Sequence, residues 1–170
     1  GILFRKLDNE EQLKKYHEHI PVEYIIQALV DWPVEVSVFY YRHPTEKKGT
    51  VSGFIYKELL HVVGDGQSSL QQLVETHPRA KFRLAEMKHR HGHRFAEVVP
   101  DKEIFYLSYA GNHNRGAQFT NLHNEINQDM HDFFDALSHK TQFFYGRYDI
   151  KTSSIEDKKK KKNISILEFN

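Results

Sequence analysis

The chain has 170 residues, about the size of one domain, and its 39% hydrophobic and 13% aromatic residues are enough to fill a core. No apolar run approaches the roughly 20 residues that cross a bilayer, the opening GILFRKLDNEEQ lacks the basic and then apolar pattern of a secretory signal, and the absence of cysteine excludes disulfides, thiolate nucleophiles and zinc–thiolate sites. With 24 Lys+Arg against 23 Asp+Glu the formal charge is +1, which argues against a dedicated nucleic-acid binder; a cytoplasmic protein with neither nucleic acid nor membrane as partner is expected.

Asp8 and Glu11 stand three apart as a capping-box pair, so the first element is predicted as a helix ending near Pro21. VEYIIQALV and VEVSVFYY are rich in Val, Ile and Tyr and are broken by Asp31-Trp32-Pro33; both are predicted strands. HPTEKKGT supplies Pro44 and Gly49 for a hairpin loop, and TVSGFIYKE returns, so residues 22–57 read as an antiparallel meander. GDGQ is a turn, and Leu70, Leu73 and Val74 have helical spacing up to Pro78, with a second short helix from Arg79. Residues 95–110 alternate as two strands around a turn at Asp101-Lys102, and GNHNRGAQ reads as a loop. From Leu122, the spacing of Ile126, Met130, Phe133 and Leu137 marks one face of an amphipathic helix. QFFYGRYDIK and NISILEFN then form a hairpin across a lysine-rich linker. The expected class is α+β, a mostly antiparallel sheet with packed helices.

The sharpest chemical pattern lies in that hairpin. Glu168 and Asn170 are two apart and share a face, and the partner strand can present Asp149 beside them. Two carboxylates and an amide oxygen are hard ligands of the kind that suits Mg2+ on nucleotide phosphates. On spacing alone, a polar sheet face open to solvent is the alternative. His89, His91 and His93 alternate, but Gly92 interrupts them and no carboxylate pair completes a zinc set, so a solvated loop is expected there. Lys158 to Lys162 read as a charged hairpin tip.

GRYDIK followed by ISILEFN resembles the end of the ATP-grasp ligases. Other pieces agree in order: PVEYIIQALVDWPVEVSVF resembles that superfamily's hinge strand and the strand after it, VVGDGQSSLQQLV a GDG segment of the cyanophycin synthetase branch, and GNHNRGAQFTNL that branch's Asn-rich loop. The D-alanine–D-alanine ligase-like branch is the other near resemblance. The resemblance implies that Gln27 begins the hinge, that the backbone from Ala28 to Val30 reads adenine, and that Glu35 binds ribose hydroxyls. It further implies Lys57 as a phosphate contact, Arg147 as the group that stabilises the transferred phosphoryl, and Asp149, Glu168 and Asn170 as ligands of two Mg2+ ions. Asn112, Arg115 and Gly116 fall in the loop expected to touch phosphate or substrate. Without the resemblance, Glu35 reads equally well as a solvent-face strand residue and Arg115 as a surface charge.

By the same resemblance the activity is an ATP-dependent carboxylate–amine ligase acting through an acyl-phosphate, with small-molecule carboxylate and amine substrates such as amino acids or peptides. A kinase that stops at the phosphorylated product and a noncatalytic nucleotide-binding or assembly module are the alternatives. The resemblance also implies that residues 1–170 form a single partial ATP-grasp domain, without the upstream lysine strand and Gly-rich lid. Weak ATP binding and no turnover are therefore expected of these residues alone.

Overall fold

The computed structural model describes residues 5–20, 22–154 and 164–170. They fall into two compact units, one ending at Asp31 and one beginning at Trp32. In the first unit, helix α1 spans Glu10–His19. Its cap lies one residue later than the sequence suggests: Asn9 is the N-cap, its side chain accepts from the Gln12 amide at 2.9 Å, and the Gln12 side chain accepts from the Asp8 amide at 2.8 Å. Asn9 thus takes the capping role expected of Asp8, while Gln12 reaches back to the amide before the cap and not to that of the cap itself.

Residues 22–33 correct the meander, because they carry no strand. Their composition suits a strand, yet no ladder includes them, and Val22, Ile25, Ile26 and Leu29 are exposed. β propensity describes how well a residue fits a pleated, half-buried surface, and these side chains do not lie on one.

The second unit is built on a five-stranded sheet of order β5-β2-β1-β6-β7, in which every pairing is antiparallel. Its strands are β1 (Val34–Tyr41), β2 (Thr50–Glu58), β5 (Gln118–Asn121), β6 (Tyr145–Thr152) and β7 (Ile164–Phe169). Side chains alternate faces along a strand, so Val36, Val38 and Tyr40 of β1 point to one side while Glu35, Ser37 and Phe39 point to the other. Helix α4 (Gln128–Thr141) covers the apolar side, where Met130 and Phe134 pack with Val36, Val38, Phe54, Tyr148 and Ile150. The predicted start at Leu122 is too early: a 3-10 turn spans His123–Glu125, and Asn127 caps the helix by accepting from the Met130 amide at 3.0 Å. Ile126 and Phe133 still pack against this core.

A smaller two-stranded sheet, β3 (His61–Val63) with β4 (Ile104–Tyr106), gathers a second core with α2 (Leu70–Thr76) and α3 (Leu84–His91). Leu60, Val62, Leu70, Val74, Met87 and Leu107 fill it. Residues 95–110 therefore give one short strand where two are expected. The turn at Asp101-Lys102 is present, with Lys102 at φ 63°, but the stretch before it makes a single bridge, Val98 to Ser69. Its backbone is spent instead on bonds to the start of α2, such as the Leu70 amide to the Glu97 carbonyl at 2.8 Å. His89 and His91 lie on α3 and His93 on a 3-10 turn, not in the expected loop. The lysine run 158–162 lies outside the described residues.

Candidate functional site

The face of the large sheet turned away from α4 is charged. In register, Glu35 stands opposite Lys57 on β2 and Lys151 on β6, Ser37 stands opposite Asp149, and Asp149 stands opposite Glu168 on β7. These side chains consequently share one face of four adjacent strands. Four of them are nearly inaccessible: Ser37 is 2% exposed, Asp149 4%, Lys57 6% and Glu35 7%.

Burial makes pairing obligatory, since an isolated charge in a protein interior is costly. The Lys57 ammonium lies 2.9 Å from Asp149 Oδ1 and 3.4 Å from Glu35 Oε1. Ser37 Oγ donates to the same Asp149 Oδ1 at 2.5 Å, and an Arg147 guanidinium nitrogen reaches Asp149 Oδ2 at 2.9 Å. Burial works to raise the Asp149 pKa, but the donated bonds from Ser37 and Lys57, the Lys57 charge and Arg147 outweigh it and hold the carboxyl below its ordinary value. At Glu35 the balance is reversed: burial pushes the carboxyl up, and Lys57 only partly offsets it. One donor on this face stays unused, because Arg147 Nε is buried and has no hydrogen-bond partner among the described residues.

Glu168 and Asn170 occupy the exposed end of the same face, with the Asn170 amide donating to Glu168 Oε1 at 3.3 Å. Reciprocal backbone bonds between Arg147 and Asn170, 2.9 and 3.0 Å, hold the end of the chain beside β6. The sequence pattern of Asp149 with Glu168 and Asn170 is thus brought to one face. By donor type, Glu168 and Asn170 suit a hard cation. Asp149, as arranged, does not: both oxygens already face cations, Oδ1 the Lys57 ammonium and Oδ2 the Arg147 guanidinium. Among the described residues no three His, Asp or Glu side chains converge as a cation site.

The loop after β4 closes over part of this face. Gly111 packs directly on the Glu35 carboxylate, where a Cβ would lie 2.7 Å from Cδ and closer still to Oε1. Asn112 is exposed and caps the following 3-10 turn by accepting from the Asn114 amide at 2.8 Å. Gly116 adopts φ 85°, where a side chain would also strike Leu60. Arg115 turns to α3, 2.7 Å from Glu86, which also meets Arg83 at 3.0 Å and Arg90 at 3.2 Å. Although burial alone would raise the Glu86 pKa, these guanidinium groups lower it. Arg115 therefore anchors the loop to α3 in this structure.

Of the residues singled out from the sequence, Glu35, Lys57, Arg147, Asp149, Glu168 and Asn170 share the charged face. Gln27, Ala28 and Val30 belong to the first unit, in a segment without regular structure. Ser37 and Gly111 were not singled out. A signal for Ser37 existed, as a small hydroxyl two residues beyond Glu35 within an apolar strand; Gly111 had none beyond its loop.

No protein-family model and no curated protein matches the sequence. A solved structure of a bifunctional glutathione synthetase from Pasteurella multocida is similar, with 14% identity and a TM-score of 0.46. The match covers 82% of this chain and 20% of that one, so the chain spans about one fifth of the length of that protein. A likeness of that degree assigns neither activity nor substrate.

Proposed function

We propose that this chain carries nucleotide-binding and phosphoryl-transfer groups of an ATP- and Mg2+-dependent carboxylate–amine ligase of the ATP-grasp type. The observation that carries the reading is the buried charged face, where Lys57 and Arg147 converge on Asp149 with Arg147 Nε left without an acceptor. A sheet needs no such cluster for stability, since well-packed apolar residues serve as well or better, and buried ionisable groups concentrate at functional sites. The ordered resemblance of the hinge, GDG, Asn-rich and terminal motifs supplies the chemistry.

In this reading a substrate carboxylate oxygen attacks the γ-phosphorus of ATP and ADP departs. An amine then adds to the acyl-phosphate carbon, and phosphate leaves as the amine gives up a proton. Arg147 and Lys57 neutralise charge on the transferred group, which is the main work a protein does in phosphoryl transfer. Glu35 binds the ribose hydroxyls, and loop residues Asn112 and Gly116 border the substrate. Arg115 is assigned the lesser part of fixing that loop. Mg2+ accompanies the nucleotide, with Glu168 and Asn170 as its oxygen donors; the substrates are of amino-acid or peptide type.

The test is ADP release by the intact protein. It should require a carboxylate and an amine together, hydroxylamine should trap the acyl-phosphate in place of the amine, and Arg147→Ala should lower kcat by about 100-fold or more. ADP formed without any amine, with a stable phosphorylated product, would make the protein a kinase. Nucleotide binding without ADP release in any combination would make it a binding module.

A further inference from the structure

The charged face disagrees with the metal-site pattern read from its sequence, and the disagreement is informative. A carboxylate offers about four acceptor positions, and Asp149 has filled three, with Ser37 and Lys57 on Oδ1 and Arg147 on Oδ2. A divalent ion approaching it would be a further positive charge beside Lys57 and Arg147, in a place where burial weakens screening. Lys57 is also tethered on its other side, by Glu35 at 3.4 Å, beneath Gly111. Phosphate would reverse the balance, because it supplies an acceptor for the unpartnered Arg147 Nε and an alternative partner for the flexible Lys57 side chain.

We infer that Lys57 holds the cation position of Asp149, so that this face rejects a free divalent ion and admits one only together with phosphate. The inference rests on the nucleotide reading for the identity of the phosphate donor, but not for the exclusion. It makes Lys57 the residue that couples the two ligands: metal and nucleotide enter as one complex, or the nucleotide enters first.

Mn2+ serves as a paramagnetic probe in the intact protein. Mn2+ alone should leave the amide signals of Lys57, Asp149 and Glu168 sharp, and Mn2+ with ATP should broaden them. Lys57→Met should bind Mn2+ without nucleotide at least about tenfold more tightly than the unmodified protein, whereas Lys57→Arg, which keeps the charge, should not. Broadening of Asp149 by Mn2+ alone in the unmodified protein overturns the inference without need of any variant, and so does a folded Lys57→Met that binds Mn2+ no better. If Lys57→Met gains Mn2+ while Mn2+ with ATP broadens nothing, the role of Lys57 stands and the nucleotide reading falls.

Discussion

The two faces of the large sheet are made by alternate residues of the same strands, and they are held together in opposite ways. On the α4 side, Val36, Val38, Tyr148 and Ile150 meet Met130 and Phe134, and stability there is proportional to the apolar area removed from water. On the other side Glu35, Ser37, Lys57 and Asp149 are as deeply buried, yet each depends on a named partner at a set distance. The first face tolerates changes of shape at a graded cost. The second is an arrangement of charges in which removing one member strands another. Burial alone therefore says little about purpose: the apolar face accounts for the fold, and the charged face requires a further reason to exist.

The comparison can be broken most forcefully on the apolar side. Phe134→Ala should destabilise by about 3–5 kcal/mol in denaturant unfolding, leaving a cavity beside Tyr148. Lys57→Met should cost about 3 kcal/mol, through two carboxylates left without their ammonium rather than through lost volume. Its sharper signature is that unfolding of this variant should become less costly as pH rises above the ordinary carboxylate range, since buried Glu35, already raised, must then ionise without its ammonium, while Asp149 keeps Arg147 and Ser37.

Ser37→Ala should cost about 1.5 kcal/mol and raise the Asp149 pKa, measured by carboxyl NMR titration. The sign follows from linkage. The folded-state value is depressed, so Asp149 contributes stability above its unfolded value, near 3.8, and that contribution is lost as pH falls through the folded value. Removing a donor to the ionised form moves that loss to higher pH; an unchanged titration would show that Lys57 and Arg147 alone set it. The smallest effect is expected at the end of α4, where Asn127→Ala should cost about 1 kcal/mol with no change in the charged face.

How much of this was legible in the sequence follows from the same alternation. The runs 34–41 and 50–58 and the terminal hairpin were readable because period-2 patterning survives where one face is an apolar core and the other a polar one. Residues 118–121 were missed because Gln-Phe-Thr-Asn forms a four-residue edge strand, exposed throughout, with no buried face to leave a pattern. Residues 22–30 misled for the converse reason: strand-like composition without a ladder. At the site, motif order named Asp149, Glu168 and Arg147, and the register then shows which side chains meet. No spacing rule predicts that Lys57 and Ser37 both reach Asp149, because that contact joins β1, β2 and β6 across more than 90 residues of chain. Arg115 was legible as a charged loop residue, but Glu86, its partner on α3, was not.

The packing of Gly111 against the Glu35 carboxylate has a consequence for the spectrum of variants the molecule can accept. At Gly92, a Cβ would meet only the Lys88 side chain at 3.5 Å and the backbone is helical, so Ala should be neutral or stabilising by up to about 1 kcal/mol. At Gly111 the same change drives a methyl group into a buried acid that is already paired. A selection over all twenty amino acids at both positions should return a broad set at 92 and glycine alone at 111. Any exception at 111 should carry a compensating change at Glu35 or Lys57, so genetic suppression would report on the charged cluster without a ligand being known.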